Sequence, residues 1–133
     1  MESNPELRMG FDTCWPEAAD AAWQGRSDLE RRRELVDDSH FHVMILACKA
    51  CGQPFLSVFT ELTDHAGGDD SQGWVLLPLT AEEERLLSTT DAREIEDRIY
   101  STGESRTSLL KIHARGREAN VFWSSGVPML PYG

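Results

Sequence analysis

The sequence predicts an α+β fold in which an antiparallel sheet of four or five strands, arranged as two hairpins, is packed against three or four helices. Helix-capping patterns occur at three places, and segments rich in Val, Ile, Phe and Thr lie between them. A chain of 133 residues can bury roughly two thirds of its unfolded surface in one core. We therefore expect a single domain spanning 1–133 that does not depend on a metal ion to fold.

Four helices are predicted, three of them from a capping box, in which a side-chain oxygen accepts from a backbone N–H and a glutamate reaches back. The capping pairs are Ser27 with Glu30, Thr80 with Glu83, and Asp91 with Glu94. The predicted helices span 16–24, 27–36, 81–88 and 91–100. The first has Pro16 in its first turn and Gly25 at its end. Ile95 and Ile99 give the last one a stripe that faces the core.

The strands are predicted from short segments with β-branched and aromatic residues. They span 40–48, 54–63, 74–79, 107–114 and 119–124. The first two form one hairpin and the last two form another. In the second hairpin we expect Ile112 to pair with Val121. The same register pairs Leu110 with Trp123, which places these four side chains on one face of the sheet.

The first hairpin turns at Cys48-Lys49-Ala50-Cys51, which is followed at once by Gly52. Two thiols three residues apart on a tight turn can hold one metal ion. The turn resembles the knuckle of zinc ribbons and rubredoxins, although a full ribbon has a second Cys-x-x-Cys that this chain lacks. The resemblance implies a positive φ at Gly52, thiolates that converge on the metal and N–H groups that point at the sulfurs. We therefore expect a structural Zn²⁺ site in a knuckle hairpin at about 40–63.

Tetrahedral zinc needs two further ligands, and strand geometry restricts the choice. At ~3.3 Å per residue, His42 lies roughly 20 Å from Cys48 on an unbroken strand, which is too far to share a metal. His40 is farther along the same strand, and His65 lies at the far end of the returning strand. The expected ligands are therefore Cys48, Cys51, Cys14 and His113.

Each of these residues also has an interpretation without metal. Cys14 can be a small buried apolar residue, and His113 can be a surface residue opposite Asn120. Cys48 and Cys51 can be a vestigial knuckle or a redox pair. In thioredoxin-like proteins, however, the redox motif opens a helix, whereas here it leads into a strand.

A second group of polar residues is expected at the other end of the first hairpin. His40 and His42 share one face of a strand, Glu61 lies across from them, and His65 follows at the open end. Histidines two apart beside a carboxylate can bind a catalytic metal or supply an acid/base pair. The alternative is an exposed polar sheet end without function, because residues of these types often occur together by chance.

Charge and composition restrict the function classes. A formal charge of −10 argues against a nucleic-acid partner, which normally requires a basic face. No apolar stretch is long enough to span a membrane, and the segment 1–6 lacks the basic, apolar character of a signal peptide. Three cysteines are an odd number, which fits reduced thiols better than a disulfide framework. We therefore expect a soluble, cytoplasmic protein.

The sequence favours an interaction protein over an enzyme. The stretch 61–70 contains four acids and no Lys or Arg, and a negative field steers association with a basic protein partner. We predict a small acidic zinc-knuckle protein that recognises another protein, as an inhibitor or immunity protein does. The alternative is a metal-dependent hydrolase that uses His40, His42, Glu61 and His65.

Overall fold

The computed structural model describes residues 16–62, 71–104, 106–114 and 117–128. Within them the fold is α+β, with a six-stranded antiparallel sheet and three α-helices. The strands are β1 (Leu29–Asp38), β2 (Phe41–Cys48), β3 (Pro54–Leu62), β4 (Ser71–Pro78), β5 (Thr107–His113) and β6 (Asn120–Ser125). The helices are α1 (Ala19–Gln24), α2 (Ala81–Ser88) and α3 (Ile95–Gly103), with 3₁₀ turns at Gly25–Asp28 and Ala92–Glu94. No helix in these ranges is long and apolar enough to cross a membrane.

The local predictions that rest on capping are confirmed for α2. The Thr80 hydroxyl accepts from the Glu83 N–H at 3.1 Å, and the Glu83 carboxylate accepts from the Thr80 N–H at 2.9 Å. Asp91 caps the turn before α3 by accepting from the Arg93 N–H at 3.0 Å. Ile95 and Ile99 are buried, as predicted. The four strands of the two predicted hairpins are also present.

The predicted helix over 27–36 is wrong. Ser27 does not cap it but donates its hydroxyl to the Gln24 carbonyl at 3.2 Å, and Leu29–Asp38 pairs antiparallel with β2 as the edge strand. The charge spacing suited a helix, but pairing with β2 satisfies the backbone polar groups of this segment over long range. Bulges at Arg32 and Leu35, with mostly exposed charged side chains, are typical of a protected sheet edge. This strand raises the count from the predicted four or five to six.

The second hairpin forms as predicted, but its register differs by one residue. Val121 pairs with Lys111, and Trp123 pairs with Leu109. Because neighbouring side chains on a strand face opposite sides, this difference separates Leu110 from Trp123 across the sheet. The apolar pattern could not fix the register here, because both faces are covered and Leu109 and Leu110 are both buried.

Two core clusters hold the sheet, one on each face. On the first face, Leu87 of α2 and Ile95 and Ile99 of α3 pack against alternate strand residues. These strand residues are Phe41, Val43, Ile45, Leu56, Val58, Val75, Leu77 and Leu110. On the other face, which we call the α1 face, Ala22 of α1 lies in a smaller cluster. Its strand members are Leu46, Phe55, Leu76 and Leu109.

Candidate functional site

The order of the strands decides which candidate residues can meet. Each strand pairs antiparallel with the next one, so successive connections lie at alternate ends of the sheet. The turn after β2 lies at the same end of the sheet as the connection from β4 to β5, which carries α2 and α3. We call this the cysteine end. The turns after β1 and β5 lie at the opposite end, which we call the histidine end. Side chains at different ends cannot share a ligand.

The turn after β2 is a tight turn closed by backbone hydrogen bonds, with a glycine in the left-handed conformation. Gly52 has a φ of 80°, and its N–H donates to the Cys48 carbonyl at 2.8 Å. The Cys48 N–H donates to the Gln53 carbonyl at 2.9 Å, and the Lys49 N–H donates to the backbone carbonyl of Asp28 at 3.4 Å. The predicted positive φ is confirmed. The last contact ties the turn to the start of β1.

The two cysteines of this turn differ in chemical state. Cys48 is a half-buried free thiol, whereas Cys51 is exposed and takes part in a disulfide. A disulfide sulfur has no thiolate to offer a metal ion, so both sulfurs become available together only after reduction. Cys14, the third predicted cysteine ligand, lies outside the described residues. Zinc binding at the turn therefore stays a prediction for the reduced chain.

His113 does not lie near this turn. It pairs with Gln72, which pairs with Glu61 near the far end of β3. Glu61 lies seven positions after Pro54, which corresponds to roughly 23 Å at the usual rise of a strand. His113 is therefore at the histidine end, remote from Cys48. The sequence prediction placed the turn after β5 at the end that carries the cysteines, and the chain order of the six strands reverses that placement.

The predicted group of His40, His42 and Glu61 lies at the histidine end but is divided into two pairs. His40 Nδ1 is 3.5 Å from Glu61 Oε1. His42 Nε2 is instead 2.7 Å from Glu34 Oε2, across the pairing of β1 with β2. The fourth member, His65, lies outside the described residues. His42 therefore contacts β1, a segment for which the sequence analysis predicted a helix.

The edge strand β1 supplies two carboxylates beside His42. Asp37 is its direct pairing partner, and Glu34 lies opposite Met44 on the next pair along the same face. Residues three apart on a regular strand face opposite sides, but the bulge at Leu35 brings both carboxylates to the α1 face. One ligand atom from each of Glu34, Asp37 and His42 lies within 4.8 Å of the others. Recognising 29–38 as a bulged strand would have been needed to find this group.

An aromatic cluster separates this group from the α1 core. Trp74 contacts Phe59 at 5.2 Å and Trp23 of α1 at 6.0 Å between ring centroids. The Lys111 ammonium lies 4.9 Å from the Trp23 centroid and 5.1 Å from the Trp74 centroid. The Arg26 guanidinium also lies over the Trp23 ring, 5.2 Å from its centroid, and burial lowers the pKa of Arg26. These cation–π contacts hold α1 against the middle of the sheet.

Comparisons with known proteins supply no relative. No protein-family model matches the chain, and no curated protein or solved structure matches it. A function for this protein therefore has to come from the chemistry of its own residues, at the two ends of the sheet and on its acidic surface.

Proposed function

We propose that the protein is a small acidic metal-binding interaction module, in which the reduced cysteine turn holds structural Zn²⁺ and the acidic surface recognises a basic protein. The observation that carries the metal proposal is the turn itself. Gly52 at a φ of 80° and its hydrogen bond to Cys48 support the proposal, because a knuckle turn needs a glycine with positive φ after its second cysteine. A reducing cytoplasm would keep the Cys51 sulfur as a thiol available to the ion.

The proposed ligands are Cys48, Cys51 and Cys14. His113 lies at the other end of the sheet, so the fourth position falls to water or to a donor group from a partner. Zinc here would link β1, β2 and β3, because the Lys49 N–H already contacts Asp28 just before β1. The core clusters on both faces do not involve the turn, so we expect a chelator to lower the melting temperature without unfolding the domain.

The test of this metal site is the zinc content of protein purified under reducing conditions. We expect the Cys48→Ser, Cys51→Ser variant to hold about one equivalent less than the wild type, and His113→Ala, which is the matched control, to hold as much as the wild type. Equal zinc in wild type and the cysteine variant, or no zinc in either, would contradict the proposal.

The partner proposal rests on the formal charge of −10 and on the acid-rich stretch 61–70. A strongly negative small domain is steered onto a basic surface, so association should be fast at low salt. It should slow as the ionic strength passes ~0.1 M, where the Debye length is about 10 Å. An inhibitor or immunity-type role is the form of interaction that this field suits best.

The experiment compares two double variants with equal loss of charge, measured against a partner recovered by pull-down. Asp69→Asn with Asp70→Asn removes two of the four acids of the stretch 61–70. Asp91→Asn with Glu94→Gln removes two exposed acids before α3. We expect the first pair to reduce the association rate more than the second, with little change in dissociation. An acidic partner, or binding that is insensitive to salt, would show that charge does not direct recognition.

A metal-dependent hydrolase is the second candidate, and the His40–Glu61 and His42–Glu34 pairs favour it. Imidazole beside carboxylate can hold a metal ion or move a proton in hydrolysis. The test is turnover of a panel of ester and phosphoester substrates with added divalent metal. Activity that His40→Ala and His42→Ala both remove would support an enzyme, and an inactive wild type would argue for the interaction module.

A further inference from the structure

We infer that Glu34, Asp37 and His42 form a second metal site, which binds a divalent first-row transition ion through two carboxylates and one imidazole. The site goes beyond the proposed zinc knuckle and shares no residue with it. His42 and Cys48 lie six positions apart on β2, which corresponds to roughly 20 Å. One ion cannot therefore contact both sites.

The distances between the three donor atoms suit one small ion. They lie within 4.8 Å of one another, and three donors that bind one ion through bonds of about 2.0–2.2 Å lie roughly 3.0–3.6 Å apart. Closing the site therefore takes shifts of up to about 1.5 Å. Rotation of exposed carboxylate side chains can supply such shifts without movement of the strands.

The backbone presents each donor to the same face. Pairing of β1 with β2 sets Asp37 directly beside His42, and the bulge at Leu35 turns Glu34 to join them. The neighbouring acid, Asp38, is not part of this group: its Oδ1 accepts from the backbone N–H of His40 at 2.9 Å in the turn after β1. Bulges often re-aim a side chain toward a functional site, and this one converts a spacing of three into a shared face.

The type of ion follows from the donors. Two carboxylates and one neutral imidazole suit Mn²⁺, Fe²⁺, Co²⁺ or Zn²⁺, whereas Ca²⁺ and Mg²⁺ prefer oxygen donors alone. Three protein ligands leave positions open for water or a group from another molecule. Two contacts compete with the ion: Arg31 Nη1, on a side chain that is 62% exposed, lies 3.5 Å from Glu34 Oε2, and His42 Nε2 lies 2.7 Å from the same oxygen.

The test uses oxidised protein with its disulfide intact, because Cys51 then cannot bind metal. Titration with Co²⁺ is followed by calorimetry and by absorption, in which thiolate ligands would give a charge-transfer band and N/O ligands only weak ligand-field bands. We expect one equivalent to bind without the thiolate band. His42→Ala should abolish binding, and Asp37→Asn and the isosteric Glu34→Gln should each weaken it by about tenfold or more.

The matched controls are Asp38→Asn, which removes the same charge from the adjacent residue, and His113→Ala, which removes another imidazole from the same end. Both should bind Co²⁺ as the wild type does. No binding at millimolar Co²⁺, or equal weakening by Asp37→Asn and Asp38→Asn, would overturn the inference and leave only an acidic surface with a His–Glu pair. Such a result would not affect zinc in reduced protein, so the two metal proposals fail separately.

Discussion

The cysteine end and the histidine end of the sheet both present metal-ligating side chains, but they are built in different ways. At the cysteine end, one turn of consecutive residues carries Cys48 and Cys51, and backbone hydrogen bonds and Gly52 set its shape. At the histidine end, His42 meets Glu34 only because two strands pair. A local site can be recognised from sequence spacing, whereas a site made by strand pairing depends on the register.

The two ends also differ in how firmly they are braced. At the cysteine end, the Gln53 amide donates to the Leu79 carbonyl at 2.7 Å and to the Pro54 carbonyl at 2.8 Å. Arg106 donates to both oxygens of Glu83 at 2.6 and 2.7 Å, and its side chain is only 10% exposed. The histidine end has half-exposed pairs, which contribute up to about 1 kcal/mol each. Those weaker pairs can exchange partners when a ligand arrives.

The largest expected effect is at the braced end. Arg106→Met leaves the partly buried Glu83 carboxylate without its cation and should lower the free energy of unfolding by about 3 kcal/mol, measured by urea denaturation. The control is Arg32→Met, which breaks an ion pair with Glu84 in which Arg32 is 43% exposed, and should cost less than about 1 kcal/mol. Equal costs would mean that burial does not distinguish these two pairs.

The second prediction concerns backbone conformation at the cysteine turn. Gly52→Ala should lower the free energy of unfolding by about 1–2 kcal/mol, because an alanine must adopt the left-handed conformation there. Gly25→Ala is the control: its φ is −69°, and an added Cβ meets nothing within 4 Å at either position. That control should be neutral or slightly stabilising. A neutral Gly52→Ala would show that the turn tolerates another conformation.

A smaller effect is expected from pH, through Glu83. Burial by itself raises the pKa of Glu83, but hydrogen bonds from Arg106 and Thr80 outweigh it and hold the pKa below its ordinary value of 4.5. A lowered carboxylate pKa stabilises the fold above the unfolded value and is lost as pH falls through the folded value. Stability of the wild type should therefore decline more steeply below pH 4.5 than that of Glu83→Gln or Arg106→Met. Parallel pH curves in urea denaturation would contradict this cause.

The smallest effect on stability is expected at the histidine end. Without metal, His42→Ala should change the free energy of unfolding by less than about 1 kcal/mol, because its pair with Glu34 is half exposed. Added Co²⁺ should raise the melting temperature of oxidised wild type but not of this variant. His113→Ala should respond to Co²⁺ as the wild type does. A large loss of stability without metal would mean that the histidine end is a structural element after all.

The sequence predicted local structure correctly where residues close in the chain form hydrogen bonds with one another or adopt a conformation typical of their type. Thr80 and Glu83 predict the start of α2, because their side chains accept hydrogen bonds from N–H groups that have no carbonyl partner within the helix. The Cys-x-x-Cys-Gly spacing predicts a tight turn with a positive φ at Gly52, because glycine adopts that conformation without steric cost. Segments rich in β-branched and aromatic residues identified β2 and β3, because such side chains pack well on a pleated sheet.

Only the tertiary structure decided how distant segments pair, and that pairing controls the histidine end. The segment 29–38 has charges at helical spacing, yet the free energy of hydrogen bonding and packing against β2 makes it a strand and brings Glu34 and Asp37 to His42. The predicted and observed registers of β5 and β6 differ by one residue for the same reason. Leu109 and Leu110 are buried in cores on opposite faces, so their apolar character does not indicate which of them faces which side. Short-range hydrogen bonds are encoded within a few residues, whereas strand register depends on every strand in the sheet.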